Sequence, residues 1–360
     1  MNGPSRLKLV ITTITAIGAT VLAGCASSGS AGGSSGSASA PSGSASASGS
    51  GSAASGSAST SGSGSAASGS ASTSGSGSAA SGSASASGSA SQASGSSSGS
   101  AQSPADLVPA AIKAKGTLTV ATDATYAPNE FIKPGSSTIV GLDPDLSVAL
   151  GKQLGLTLNM VNAGFDTIIP GLQSGKYDMG LSAYTDTKAR EKVVDFVVYY
   201  KTGESFFVNS SDTKTYNGLD SLCGVKVSVE KGTTEETDAT NQSKKCVADG
   251  KAKVDVLSFG DQNGANLAVS SGRADLGFAD SQVVGYMLTQ SNGQFKEVGD
   301  PVNVTPSGIA LPKDNGMAPA VQAALKNLIA DGTYATIFKK WGMGTNMIPA
   351  SEVKINAAIS

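Results

Sequence analysis

From residue 105 onward, apolar positions recur in two rhythms that alternate along the chain. Residues 116–122 alternate and are rich in Thr and Val, which predicts a strand. Leu146, Val148, Ala149, Leu150 and Leu154 then follow a helical spacing over 144–154, with Asp143 as N-cap and Pro144 in the first position. A strand over 156–161 follows. Next comes a helix over 165–172 whose apolar face is Phe165, Ile168, Ile169 and Leu172, stopped by Gly175. Strands are predicted over 177–181 and 193–198. The same rhythm then restarts, with strands at 225–229, 253–258 and 274–278. Helices are expected after the turn at 231–235, over 262–270 and over 281–288. Two helices, 318–330 and 333–341, close the chain.

Strands alternating with helices imply parallel sheets in an α/β architecture. The pattern makes two units, neither of which uses the whole segment. Residues 204–209 cross from the first to the second, and 305–312 cross back, so that the terminal helices complete the first. The expected lobes are 105–203 with 308–360, and 204–307. Two crossing strands form a hinge suited to lobe closure.

The pattern before residue 105 is different in kind. Residues 26–104 contain no aromatic and no charged side chain, and a run of Gly, Ser, Ala and Thr beginning at Gly51 recurs at Gly64 and nearly so at Gly77. Such a segment cannot bury enough apolar surface to offset the entropy of ordering, so it reads as a disordered linker. As a Gly/Ser coil it would reach about 50 Å. Ahead of it, Arg6 and Lys8 precede an apolar run over 9–21 and then Leu22-Ala23-Gly24-Cys25. A charged start, a short apolar core and small residues before a cut make a secretory signal over 1–24. Leu-Ala-Gly-Cys resembles the bacterial lipobox, which implies a lipid on Cys25 and a location on the outer face of the cell membrane.

Composition narrows the chemistry. The chain carries 25 Lys and Arg against 27 Asp and Glu, with no basic stripe, which argues against a nucleic-acid partner. Histidine is absent from the sequence, which removes His-based triads, most zinc sites and the commonest general base. With Cys25 assigned to lipid, Cys223 and Cys246 remain. Outside the cell they are expected to form a disulfide, the alternative being two buried thiols.

Five motifs give the folded part a resemblance. GLDPDLSVALGKQLG (141–155), FDTIIPGLQSGKYDMGLSAYTDTKAR (165–190), VEKGTTEE (229–236), SGRADLGFAD (271–280) and GTYATIFKKWG (332–342) resemble, in order and spacing, the bacterial family 3 extracellular solute-binding proteins. The resemblance covers about 105–345. Val198-Tyr199-Tyr200 departs from it, where many members have Pro before Tyr. It implies a two-lobed type II periplasmic-binding-protein fold that captures an amino acid for an ABC importer.

The site residues carried over are these. Arg190 takes the ligand α-carboxylate, a task that suits a guanidinium fork. Thr185 and Thr234 supply backbone N–H groups to the same carboxylate, although the hydroxyl of Thr234 would equally suit a helix cap. Asp280 receives the α-ammonium, its alternative being an N-cap for the helix from Ser281, and Ser182 also accepts from the ammonium. Tyr126 and Phe165 face the ligand side chain, with core packing the alternative for Phe165. Asp123 contacts the far end of that side chain, and Glu230 is a further pocket acid.

Two acids in a half-buried pocket need a partner, and a cationic side chain would supply it. The order of preference is therefore arginine, lysine or ornithine first, glutamine second, and acidic amino acids last. The stretch 293–300 nonetheless resembles glutamine-binding members. The expected partners are an L-amino acid, a permease and, through the lipid, the membrane. No cofactor, metal or catalysis is expected, and the chain is read as a monomer. Two other classes compete: a sensor domain acting with a separate membrane partner, and a dehydratase-like enzyme on the same fold. The enzyme would have only Asp123, Glu230 or Asp280 for proton transfer.

Overall fold

The computed structural model describes residues 102–359. The signal segment, Cys25 and nearly all of the linker expected over 25–104 lie outside the described residues.

Helix α1 (Ala110–Lys115) ends at Gly116, whose φ of 70° lets the chain turn into strand β1 (Thr117–Thr122). A small antiparallel sheet follows, made of β2 (Thr125–Tyr126), β3 (Glu130–Ile132) and β4 (Ile139–Val140). Helix α2 (Leu142–Leu154) buries Leu142, Leu146, Leu150 and Leu154, one per turn, and stops at the left-handed Gly155. Strand β5 (Thr157–Asn162), helix α3 (Phe165–Gln173), strand β6 (Met179–Gly180) and the short helix α4 (Lys188–Glu191) lead to the long strand β7 (Val194–Asn209). The second rhythm is β8 (Lys226–Glu230), α5 (Thr234–Ala248), β9 (Asp255–Phe259), α6 (Gln262–Ser270), β10 (Leu276–Asp280) and α7 (Ser281–Gln290). Strand β11 (Phe295–Pro312) returns, and α8 (Ala318–Ala330) and α9 (Thr333–Lys340) complete the set.

The main sheet runs in the order β5-β1-β6-β11-β7-β10-β8-β9. β1 pairs in parallel with β5 and β6, and β8 pairs in parallel with β9 and β10. Between these triplets runs the antiparallel pair β7–β11, common to both. This is the two-lobed α/β arrangement that the motif order implied. The pair slips register between Val298 and Val302 and again before Thr305, and Asn303 there takes a φ of 50°. Asn303 Nδ2 donates to Glu204 Oε2 at 3.0 Å and also to Asp238, so carboxylates on β7 and α5 hold the irregular segment.

Several sequence expectations are corrected. β7 is one strand of 16 residues, where a strand over 193–198 and a separate crossing at 204–209 were expected. Strands are non-local, and only the partners β11 and β10 show that the polar interruption at 201–205 stays paired. Asp143 is not an N-cap: Gly141 holds that place, the helix starts at Leu142, and Pro144 lies in its first turn. The Asp143 carboxyl is drawn inward, accepting from Tyr199 OH at 3.0 Å. The hairpin sheet over 125–140 and helix α1 had no counterpart in the periodicity, because strands of two or three residues carry no period and α1, six residues long with none buried, has no apolar face.

One apolar cluster extends from Leu118, Leu146 and Leu150 through Tyr199 and Tyr200 to Val269, Val283 and Val284. A second, built on Phe206, Val227, Val229, Leu276 and Phe278, contains Cys246. Cys246 is bonded to Cys223, fastening the end of α5 to the turn before β8. The bridge closes a loop with a sequence separation of 23. Replacing both cysteines by alanine is expected to lower stability by about 3 kcal/mol on chain-entropy grounds. The check is the urea midpoint, with and without reductant. Neither cysteine lines the cleft, so ligand affinity is expected to hold.

Candidate ligand-binding site

The two parallel triplets face each other across a narrow cavity. Tyr126, Phe165, Thr185, Arg190, Thr234 and Asp280 line it, together with Ala183, Thr233 and Glu235. Six of the nine ligand positions expected from sequence are thus brought to one cavity, although they come from segments spread over more than 150 residues.

Arg190 sits in α4, whose N-cap Thr187 accepts from the Arg190 N–H at 3.2 Å. Its guanidinium donates from Nη1 to Thr185 O at 2.8 Å and from Nη2 to Gly232 O at 2.9 Å, the second bond crossing the cleft. Its plane lies near the Tyr184 and Phe165 rings, at 5.1 and 5.6 Å from their centroids. Those rings stack at 4.2 Å, and Tyr184 OH donates to Phe165 O at 2.6 Å, which fixes the start of α3. Phe165 therefore serves both as cavity wall and as core. Burial lowers the Arg190 pKa, while the acids Glu235 and Asp280 oppose the shift.

Across the cleft, α5 begins at Thr234. Its cap is Thr233, whose hydroxyl accepts from the Glu236 N–H at 3.2 Å. Thr234 is therefore not the cap; its hydroxyl lies 3.3 Å from that of Thr185, across the cleft. Asp280 occupies the N-cap position of α7 without capping it through its side chain. Its carboxylate instead accepts from Gln282 Nε2 at 3.2 Å, and its N–H donates to Tyr126 OH at 3.2 Å. Burial, followed by the charge of Glu235, pushes the Asp280 carboxyl well above the usual carboxylate range.

Asp123, Glu230 and Ser182 are set back from the lining. Asp123 accepts from Thr125 Oγ1 at 2.7 Å and from the Phe165 N–H at 2.9 Å. The charge of Asp123 also acts on Glu230, so the two acids share one spot although one follows β1 and the other ends β8. Neither Glu230 oxygen has a hydrogen-bond partner among the described residues. Burial raises both carboxyls, and for Glu230 the adjacent Asp123 adds to the shift. Ser182 accepts from the Asp123 N–H at 2.9 Å and donates to Glu130 at 2.8 Å, so its hydroxyl supports Asp123 rather than lining the cavity.

Sequence reasoning missed Glu235, Thr233 and Ala183. Glu235 is buried with one oxygen unpartnered, and its place beside Thr234 in the GTTEE run was the available signal. Ala183 takes a φ of 51°, which nothing in its sequence announces.

This fold agrees with what similar proteins show. The family model for bacterial extracellular solute-binding proteins, family 3, matches residues 118–344. The chain belongs to that family. An arginine-binding protein of Corynebacterium glutamicum, ArgT, is 32% identical over 243 residues, covering 67% of this chain and 79% of that one. An ancestral arginine-binding protein solved with arginine is 35% identical, with a TM-score of 0.57, covering 63% of this chain and 98% of its own. The same kind of ancestor solved with glutamine is 34% identical, with a TM-score of 0.58, covering 63% and 98%. As a family 3 member the chain is a solute-binding protein of the extracellular type. Among the described residues, no helix is long and apolar enough to cross a membrane.

Proposed function

We propose that this solute-binding protein captures a cationic L-amino acid, arginine, lysine or ornithine before glutamine, and hands it to an ABC permease. The observation that carries this reading is the charge of the cleft. Among the described residues, Asp280 and Glu235 line it opposite a single guanidinium, Arg190, and the Asp123–Glu230 pair stands behind the wall with no basic partner. Arg190, with the N–H groups of Thr185 and Thr234, would take the α-carboxylate; Asp280 would take the ammonium. Tyr126 and Phe165 would flank the side chain, leading its cation to Asp123 and Glu230. Ser182 would act through Asp123.

Closure follows from contacts that cross the cleft. Lys231 pairs with Asp166 at 2.8 Å, and the Gln262 N–H donates to Thr125 Oγ1 at 3.2 Å. The lobes, 105–203 with 308–360 and 204–307, would rotate about β7 and β11 beside the register slips. The absence of histidine and the amino-acid groups opposite each other favour binding over a dehydratase-like reaction. A sensor would keep the same ligand site.

The direct test is calorimetric titration with the twenty amino acids, ornithine and citrulline. Trp341 is the only tryptophan, and its ring meets Phe131, which in turn meets Tyr286 of α7 across the cleft, so its fluorescence should report closure. Basic amino acids are expected to bind tightest and to shift that emission. Binding of none of these compounds would sink the reading.

Cys25 would carry the lipid and hold the binding lobes within about 50 Å of the outer membrane face. A Cys25→Ser protein is expected to bind its amino acid in solution and to leave the membrane fraction. Retention there would count against the anchor.

A further inference from the structure

Behind the cavity lies a pair of acids that ligand capture does not use. Glu130 on β3 and Asp143 in the first turn of α2 are both 0% exposed, and the adjacent residues Ser182 and Ala183 bring their carboxyls close enough for the charge of Asp143 to act on Glu130. Neither makes an ion pair among the described residues. The titratable groups facing them are Asp123, Tyr199 and Tyr200. Donors surround Asp143: both its oxygens accept from Tyr199 OH at 3.0 Å, and one lies 3.4 Å from the Ala183 N–H. Glu130 differs. Its Oε1 accepts from Ser182, and its Oε2 has no donor among the described residues. Two facing carboxylates without a cation cannot both be ionised in a dry site, so one proton must lie between them.

We propose that Glu130 and Asp143 share one proton, carried on Glu130 Oε2 and donated to Asp143, and that the pair is the positioning element of the ligand pocket. Glu130 holds Ser182, which holds the backbone of Asp123; Asp143 holds Ala183, whose left-handed backbone lines the cavity. The departure at Tyr199 fits this role, since its hydroxyl supplies the third donor to Asp143. Burial raises both carboxyls, Asp143 to about 6 and Glu130 well above the usual carboxylate range, in keeping with a proton on Glu130. The pocket role rests on the proposed function, whereas the shared proton does not.

The test pairs Glu130→Gln with Glu130→Ala. Glutamine reproduces a protonated glutamate, since its amide N–H can donate to Asp143 while its oxygen accepts from Ser182. At pH 7.5, the infrared band of protonated carboxyl groups should lose one group's intensity in Glu130→Gln, with or without ligand. With L-arginine as probe, Glu130→Gln should bind close to wild type. Glu130→Ala should bind about tenfold more weakly, because Ser182 and Asp143 lose a buried partner. An undiminished infrared band overturns the shared proton, even if L-arginine does not bind the wild type. Equal weakening of both variants overturns the positioning role. If the alanine variant fails to fold, a tenfold loss in Glu130→Gln alone overturns it.

Discussion

Arg190→Ala is expected to weaken binding of every α-amino acid ligand by at least about a hundredfold, on the order of 3 kcal/mol or more. Among the described residues Arg190 is the one cation lining the cavity, and Asp280 and Glu235 line it with it. Removing it leaves a ligand carboxylate among acids with no counter-charge. Two further contacts go with it, to Thr185 O and across the cleft to Gly232 O, so closure weakens as well. Arg190→Lys keeps the charge but not the fork and should recover only part of the loss. Because the α-carboxylate is common to all amino acids, the loss should be uniform across side chains. A control sharpens this: agmatine, which is arginine without its carboxylate, should lose only the part due to weaker closure, far less than L-arginine loses. Calorimetry on this two-by-two set decides the matter, and an Arg190→Ala protein that still binds L-arginine at wild-type affinity would falsify the assignment.

Changes at the buried acid pair should act on selectivity instead. Asp123→Asn and Glu230→Gln are each expected to cost about 1–3 kcal/mol for L-arginine and to cost little for L-glutamine. The pair also dictates the pH response. Burial raises both carboxyls, so under mildly acid conditions part of the population carries protons that a cationic ligand must displace. Binding a cation favours the ionised form, so protons are released and affinity for L-arginine rises with pH until both acids are ionised beforehand. For stability without ligand the sign reverses. The fold prefers these carboxyls protonated, so their contribution declines as pH climbs from the ordinary carboxylate range through their raised values. Glu230→Gln should flatten the rise in affinity, and calorimetry in buffers of different ionisation enthalpy should show fewer protons released. Unchanged L-arginine affinity in both variants would remove the pair from the site.

Much of this site was legible in the chain. The periodicity alone places α6 at Gln262–Ser270 and α8 at Ala318–Ala330, because helical bonds and spacing are local. The motif around TDTKAR pointed to Arg190, and GTTEE pointed to Thr234 with Glu235 beside it. A count of two remaining cysteines in an exported domain pointed to the Cys223–Cys246 bridge that the structure contains. Three details were not legible. Thr233 rather than Thr234 caps α5, a choice between adjacent threonines made by backbone geometry at the turn from β8. Asp143 looked like a cap because its neighbours suit one, yet the Tyr199 hydroxyl 56 residues away claims its carboxyl. Ser182 reads as a ligand contact until Asp123 and Glu130 are seen to occupy its hydroxyl.

What the sequence determined by itself was the alternation of strands and helices, the family, and the kinds of group available for recognition: acids, one well-placed arginine and aromatic walls, with no histidine. Those properties are written in local spacing and in residue type. Only the tertiary structure decided that Asp123 and Glu230 meet, that Asp280 and Arg190 share one cavity, and that Glu130 faces Asp143. Such contacts depend on how β7 and β11 pair through the hinge and which side chains the sheet then buries together. Burial is also what raises these carboxyls, and no stretch of sequence reports how much water its side chains will lose.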